Sequence, residues 1–266
     1  MIKSVIRIVR LYFFQAWFSY RALFAWSTPF NYFASKMGFP FFSMLMFIFM
    51  GKYVGLNDPI YIVIGNILLL PSLNGVSGMS MTIGGEKQFG ALSYLLGSPA
   101  PRAPLFMGRA FFHILDGFIT VLVALPLAIL IFHLDMSQTN FLLVGFCILL
   151  ISVTATGMGF IMGTVTLVSR DGWMITSTLQ IAFYVVIGVN FPVDLLPPVL
   201  RAFSSSLPMT RGIQAARLAL AGAGWSEIAP LVLGEILIGA IYILIGYATF
   251  RFTERASMKS GMLDNL

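Results

Sequence analysis

The residues able to do chemistry in this chain lie inside or beside long apolar runs. Arg109, His113 and Asp116 fall at i, i+4 and i+7, so a helix there carries them on one face. Glu235 sits within another run, flanked by Leu233-Gly234 and Ile236-Leu237. Ionisable groups in apolar surroundings pair with one another, face a watery path or carry protons. The Arg109–His113–Asp116 face suits a network within or between helices, a gate, or a contact to a translocated molecule. Glu235 suits a structural pair or the lining of a path.

Catalytic signatures are missing from the sequence. No Gly-x-x-x-x-Gly-Lys-Ser/Thr occurs, since Gly51-Lys52 runs on into Tyr53 without the required glycine spacing. Neither Gly-x-Ser-x-Gly nor His-Glu-x-x-His is present, so a hydrolase has little support. His113 and His133 are isolated, which leaves no metal-ligand spacing. Cys147 is the single cysteine, so no intrachain disulfide can form, and packing is its expected role. We expect no catalysis, no metal and no cofactor in this chain.

The elements that hold these residues are membrane helices. Hydrophobic residues make up 58% of the 266 positions and charged residues only 10%, against about 25% in soluble domains. The mean hydropathy is +0.91. Only helices or closed barrels satisfy their backbone in hydrocarbon. The apolar runs are continuous, without the two-residue alternation of a barrel strand, so an all-α integral membrane protein is expected. At roughly 20 apolar residues per crossing, six spans are predicted at 30–51, 60–83, 106–132, 139–168, 172–191 and 228–250 of a single domain covering 1–266.

Several features qualify these spans. The second carries Asn66, Pro71, Asn74, Gly75 and Gly78, which suits a kink or a hinge. Gly157, Gly159 and Gly163 on the fourth suit close helix packing. Phe39, Phe41, Phe42, Phe47 and Phe49 cluster on the first, facing lipid or lining a path for an amphiphile. Residues 1–27 are basic and amphipathic: Lys3, Arg7 and Arg10 share one face, while Ile2, Val5, Ile6, Val9 and Phe13 share the other. Such a segment lies in the headgroup plane, and Arg21 breaks the run a cleavable signal peptide would need.

Of the sixteen Lys and Arg residues, Lys52, Arg201, Arg211 and Arg217 fall on one side of these spans and all the others on the opposite side. The positive-inside rule then makes both termini cytoplasmic, as an even number of spans requires. The net charge of +6 is a topology signal, with little support for nucleic acid as a partner. Residues 192–225 are too polar and too broken by Pro and Gly for a span. Two short amphipathic helices are predicted there, interfacial or re-entrant on the outer face, with Leu196, Val199, Leu200 and Phe203 on one stripe.

A charged island, Gly84-Gly85-Glu86-Lys87-Gln88-Phe89-Gly90-Ala91-Leu92-Ser93-Tyr94-Leu95-Leu96-Gly97-Ser98-Pro99, separates spans two and three. Leu92, Leu95 and Leu96 form a small apolar face, Gly90 permits close backbone approach, and Pro99 ends the helix. A short cytoplasmic helix of this kind can fill a groove in a soluble partner. The basic start, the island and the outer segment with Phe191-Pro192, Leu196-Pro197 and Leu207-Pro208 occur in this order. Together they resemble the permease subunits of ABC type-2 exporters across nearly the whole chain.

The resemblance implies that 84–99 is a coupling helix docked on a separate ABC ATPase, with Glu86, Gly90, Ala91, Leu92, Leu95, Leu96 and Arg102 at the contact; Ala91 stands where the family usually has Thr. It implies two permease copies, as homodimer or heterodimer, above two ATPases that bind the ATP and Mg, in the cytoplasmic membrane of a prokaryote. As ionisable groups inside the spans, Glu235, Asp116, His113 and Arg109 are the translocation-path candidates, and Phe191, Pro192, Leu196, Pro197, Phe203 and Pro208 of the outer segment are the outer-gate candidates. The expected cargo is an amphiphile such as a drug, antibiotic or lipid-like molecule. A polysaccharide or glycolipid exporter, a proton-coupled antiporter using His113, Asp116 or Glu235, and a membrane-embedded transferase are the rivals.

Overall fold

The computed structural model describes residues 6, 9, 10, 12–14, 16–18, 21, 28–53, 60–88, 102–169 and 171–260. Among them only helices and their connections occur. The helices are α1 (Pro29–Tyr53), α2 (Ile60–Gln88), α3 (Arg102–Phe132), α4 (Phe141–Val168), α5 (Gly172–Val186), α6 (Pro198–Ser206), α7 (Thr210–Leu220) and α8 (Trp225–Ser260), with a 3₁₀ turn at Val193–Leu195.

Four of these are long and apolar enough to cross a membrane: Ile60–Gly84, Met107–Phe132, Phe141–Val168 and Trp225–Thr253. They correspond to predicted spans two, three, four and six. α1 forms over the whole predicted first span but is not among those four. α5 is shorter than its predicted span of 172–191. Its 15 residues reach about 22 Å, less than the roughly 30 Å of a hydrocarbon core. The helix stops because Gly188 takes φ +82° and Phe191-Pro192 cannot continue it.

α4 is the central post. Asn140 caps its start by accepting the Leu143 N–H at 3.2 Å. α2 and α8 pack along it, and α3 packs on α2. Glycines set the approach. A Cβ on Gly159 would stand 2.6 Å from the Gly75 carbonyl oxygen of α2, and one on Gly75 would stand 2.6 Å from the Ala155 Cβ. Toward α8, a Cβ on Gly246 would stand 2.9 Å from the Gly157 oxygen. Backbones meet where side chains would otherwise hold them apart. Pro71 lies inside α2, which runs unbroken from Ile60 to Gln88. Its missing N–H removes one helical hydrogen bond, and Gly117 of α3 lets that helix pack directly on Pro71.

One end of the bundle carries residues 187–224, and α7 is sunk into it. Thr139 Oγ1 donates to the Leu220 carbonyl at 2.8 Å, which puts the end of α7 beside the start of α4. The first turn of α7 lies much deeper. Gly212 packs on Ile151, about ten residues and 15 Å into α4. It also bonds Glu235, an equal depth into α8. The two predicted short helices are therefore present, and the second penetrates about half the length of a span.

α6 lies differently from its pattern. Ser204 is its buried residue, donating from Oγ to the Val186 carbonyl at 2.7 Å. The stripe of Val199, Leu200 and Phe203 is exposed rather than packed, while Leu196 is half-buried. Polar contacts anchor this helix and its apolar face is free for lipid.

Candidate functional site

The charged island is framed by the ends of two helices. α2 runs through Glu86 to Gln88, and α3 begins at Arg102. Gly90, Ala91, Leu92, Leu95 and Leu96 lie outside the described residues, as do the side-chain positions of Glu86 and Arg102. Residues 89–101, which join the two helix ends in sequence, lie outside the described residues.

The amphipathic N-terminal segment leans on the same end of α3. Its described residues between 6 and 21 are helical. The Tyr12 hydroxyl donates to the Met107 carbonyl at 3.1 Å. The Phe13 ring stands edge-on to Phe111 at 5.9 Å and Trp17 lies 6.0 Å from Phe112. Ala16 is fully buried against Gly108, whose missing side chain makes room for it. The segment and the first turns of α3 thus form one aromatic contact.

Arg109, His113 and Asp116 are all buried on the face of α3 that meets α2. His113 Nε2 and Thr82 Oγ1 are 2.8 Å apart. Arg109 Nη1 donates to the Thr82 carbonyl at 3.4 Å. The Asp116 carbonyl accepts from Thr120 Oγ1 at 2.7 Å, and that hydroxyl accepts from Asn74 Nδ2 at 3.3 Å. Gly78 opposite has no Cβ, which leaves space for the His113 ring. The spacing read from the sequence does place these residues together: His113 and Arg109 meet Thr82 of α2, while the Asp116 carbonyl is held by Thr120 of α3 itself. The arrangement is a polar seam between two helices that both lead to the island.

Glu235 is fully buried on α8. Its carboxylate accepts the Met209 N–H at 2.6 Å and the Gly212 N–H at 3.0 Å. Met209 takes φ +79° to present its N–H at the start of α7. A helix N-terminus has unsatisfied N–H groups and a partial positive charge, so a carboxylate there replaces the missing partners. Here the cap comes from another helix.

Arg217 lies near the end of α7, in the outer segment, and its sequence position marks it as a topology charge. The structure gives it a binding role. Its guanidinium lies 3.5 Å from the centre of the Tyr61 ring. It donates to the carbonyls of Tyr61 at 2.7 Å, Val189 at 2.6 Å and Gly188 at 3.3 Å. The Tyr61 hydroxyl also donates to Gly188, at 3.1 Å. Next to this, Asn66 Nδ2 donates to Asn190 Oδ1 at 2.9 Å. Arg217 and Asn66 together tie the chain after α5 to the first turns of α2. The one sequence signal was a basic residue in the outer segment with no acidic residue three or four positions away.

The gate candidates do not form one cluster. Phe203 lies 6.0 Å from Phe183 on α5 and is 44% exposed. Pro208 is buried at the turn into α7. Phe191 and Leu196 are half-buried, and Pro192 and Pro197 are exposed. Of the first-span phenylalanines, Phe41, Phe42 and Phe49 are exposed, Phe47 packs against the core, and Phe39 lies outside the described side chains. Among the described residues no group of His, Cys, Asp and Glu could hold a metal ion.

No curated protein matches the chain. The family model described as ABC-2 type transporter matches residues 12–221. That range starts in the N-terminal aromatic contact, takes in the island and the polar seam, and ends just past α7. An integral membrane protein with this bundle and this match is the permease component of a transporter, a part the family normally pairs with an ATPase subunit. The chain belongs to the ABC-2 type transporter family.

Proposed function

We propose that this chain is the membrane subunit of an ATP-driven exporter that moves an amphiphilic molecule out of the cytoplasm. Two copies face each other around the path, and a separate ATPase docks beneath each through residues 84–99. Both termini and the island are cytoplasmic, in the inner membrane of a prokaryote. The 187–224 end is external, with α7 as a re-entrant helix.

The observation that carries this reading is the position of the island. It joins the ends of two candidate spans, and those spans share a seam of His113, Thr82 and Arg109. Closure of the ATPases presses on the segment between Gln88 and Arg102. α2 and α3 move together, and the glycine contact of α2 with α4 lets backbones slide without side chains interlocking. The stroke needs only a few kcal/mol of differential binding between two arrangements. Glu235 and Arg217 keep α7 attached to α8 and α2 while the rest tilts. An amphiphile fits the exposed aromatic face of α1 and the exposed apolar face of α6 better than a polysaccharide does.

Reconstitution with the cognate ATPase tests this reading. ATP-dependent efflux of an amphiphilic dye, blocked by vanadate and insensitive to protonophore, is the expected result. Efflux abolished by protonophore and indifferent to vanadate supports the antiporter instead.

A further inference from the structure

We infer that a cavity between α1, α2 and α3 binds the transported molecule, and that this molecule has a long alkyl chain with one hydrogen-bond donor. The inference rests on the exporter reading and adds to it a site and a substrate class. The cavity measures about 420 Å³, within the roughly 300–1,000 Å³ of small-molecule pockets. At about 30 Å³ for each water-sized unit, it has room for roughly a dozen methylenes, and its open side lets the rest of a longer chain extend beyond it.

Its shape comes from small residues on two helices. Ala34 and Gly38 of α1 line it at i and i+4, and Ala124 and Ala128 of α3 do the same. Small residues at this spacing in membrane helices ordinarily bring backbones together. Here they leave open space instead: a Cβ added to Gly38 would meet nothing within 4 Å. Ile67, Leu70 and other apolar side chains complete the wall. Such a lining takes a hydrocarbon chain and rejects a sugar, whose hydroxyls would lose their water partners.

Asn66 is the polar residue among the described lining residues. Its orientation is fixed, because the atom 2.9 Å from the Ile62 carbonyl must be the nitrogen. That nitrogen also donates to Asn190 Oδ1 at 2.9 Å, so both of its protons are used. On this lining residue Oδ1 is the acceptor that the two bonds leave unused, so the polar contact Asn66 can offer a ligand is to a donor, such as a hydroxyl or an N–H. Asn66 also holds Asn190, in the chain between α5 and α6. An occupied cavity is thereby connected to the segment read as the outer gate.

The test uses the full-length chain in phosphatidylcholine vesicles and three photoreactive probes. One is hexadecanol carrying a diazirine, the second is the matching hexadecane, and the third is a phosphatidylcholine with the diazirine in one acyl chain. Hexadecanol is expected to label the walls within 30–44, 66–70 and 124–132 in preference to the other two. In Gly38→Phe, which fills the space, that labelling falls about tenfold, while thermal unfolding matches the parent chain. Ala34→Phe, from the same wall, is expected to act alike and guards against a folding defect in either variant.

Labelling undiminished in both variants overturns the site. Equal, variant-sensitive labelling by the phosphatidylcholine overturns it in favour of a resident lipid. Walls closed to all three probes, with two Gly38→Cys chains crosslinking to each other, overturn it in favour of a second copy. Preferential hexadecanol labelling without vanadate-sensitive efflux upholds the cavity and contradicts the exporter reading. Vanadate-sensitive efflux that is unaltered by Gly38→Phe does the reverse.

Discussion

Glu235 on α8 accepts the backbone N–H of Met209 at 2.6 Å, and so fastens the deep end of α7 to a point well inside the bundle. Gly212 adds a second donor at 3.0 Å, and both groups are buried. Replacement by leucine leaves two buried N–H groups without acceptors, each costing about 1–3 kcal/mol. Glu235→Leu is expected to lower the thermal stability of the purified chain markedly. Glu235→Gln, which keeps one acceptor oxygen, is expected to fall between it and the parent. Unfolding temperatures that do not follow this order would remove the capping role.

Arg217 holds three carbonyls and a ring at once. A lysine ammonium cannot reproduce that planar fork, so the exchange is not conservative here. Arg217→Ala is expected to cost about 1.5–3 kcal/mol for each hydrogen bond lost. Arg217→Lys is expected to recover part of that. Hydrogen exchange reads the effect locally: the amides of 187–190 lose protection in both variants, and those of α8 beyond Glu235 keep theirs. Uniform loss along the whole chain would contradict the local tie.

The glycines separate by position. Gly159→Leu pushes against the Gly75 oxygen and Met79, where a Cβ alone would already be too close. Overpacking of this kind costs about 1–3 kcal/mol or more, and transport is expected to fail with it. Gly145 lies on the same helix with nothing within 4 Å of its would-be Cβ. Gly145→Ala is expected to be tolerated and to raise stability by about 0.5–1 kcal/mol. Thermal unfolding of the two variants in detergent checks the pair; equal effects would mean that helix contact does not decide glycine tolerance in α4.

What could be read beforehand followed from local composition. The lengths of α2, α3, α4 and α8 emerge from apolar runs, because lipid demands about 20 such residues in a row. Proline placement announced α6, whose first residue is Pro198. The shortening of α5 escaped notice because its stop depends on the backbone at Gly188, and an apolar stretch runs straight through it to Phe191. Arg109, His113 and Asp116 share a face by spacing alone, whereas Thr82, the partner of Arg109 and His113, lies on a different helix. Glu235 and Arg217 were harder still. Both bind backbone groups far away in the chain, and a backbone N–H or carbonyl leaves no mark in the residue types.

The coupling role of the island is tested most directly by ATP hydrolysis of the cognate ATPase in the presence of this chain and an amphiphile. Glu86→Arg and Gly90→Pro are expected to insert normally and to abolish substrate-stimulated hydrolysis, leaving the basal rate of the ATPase alone. Stimulation equal to that of the parent chain in both variants would contradict the account.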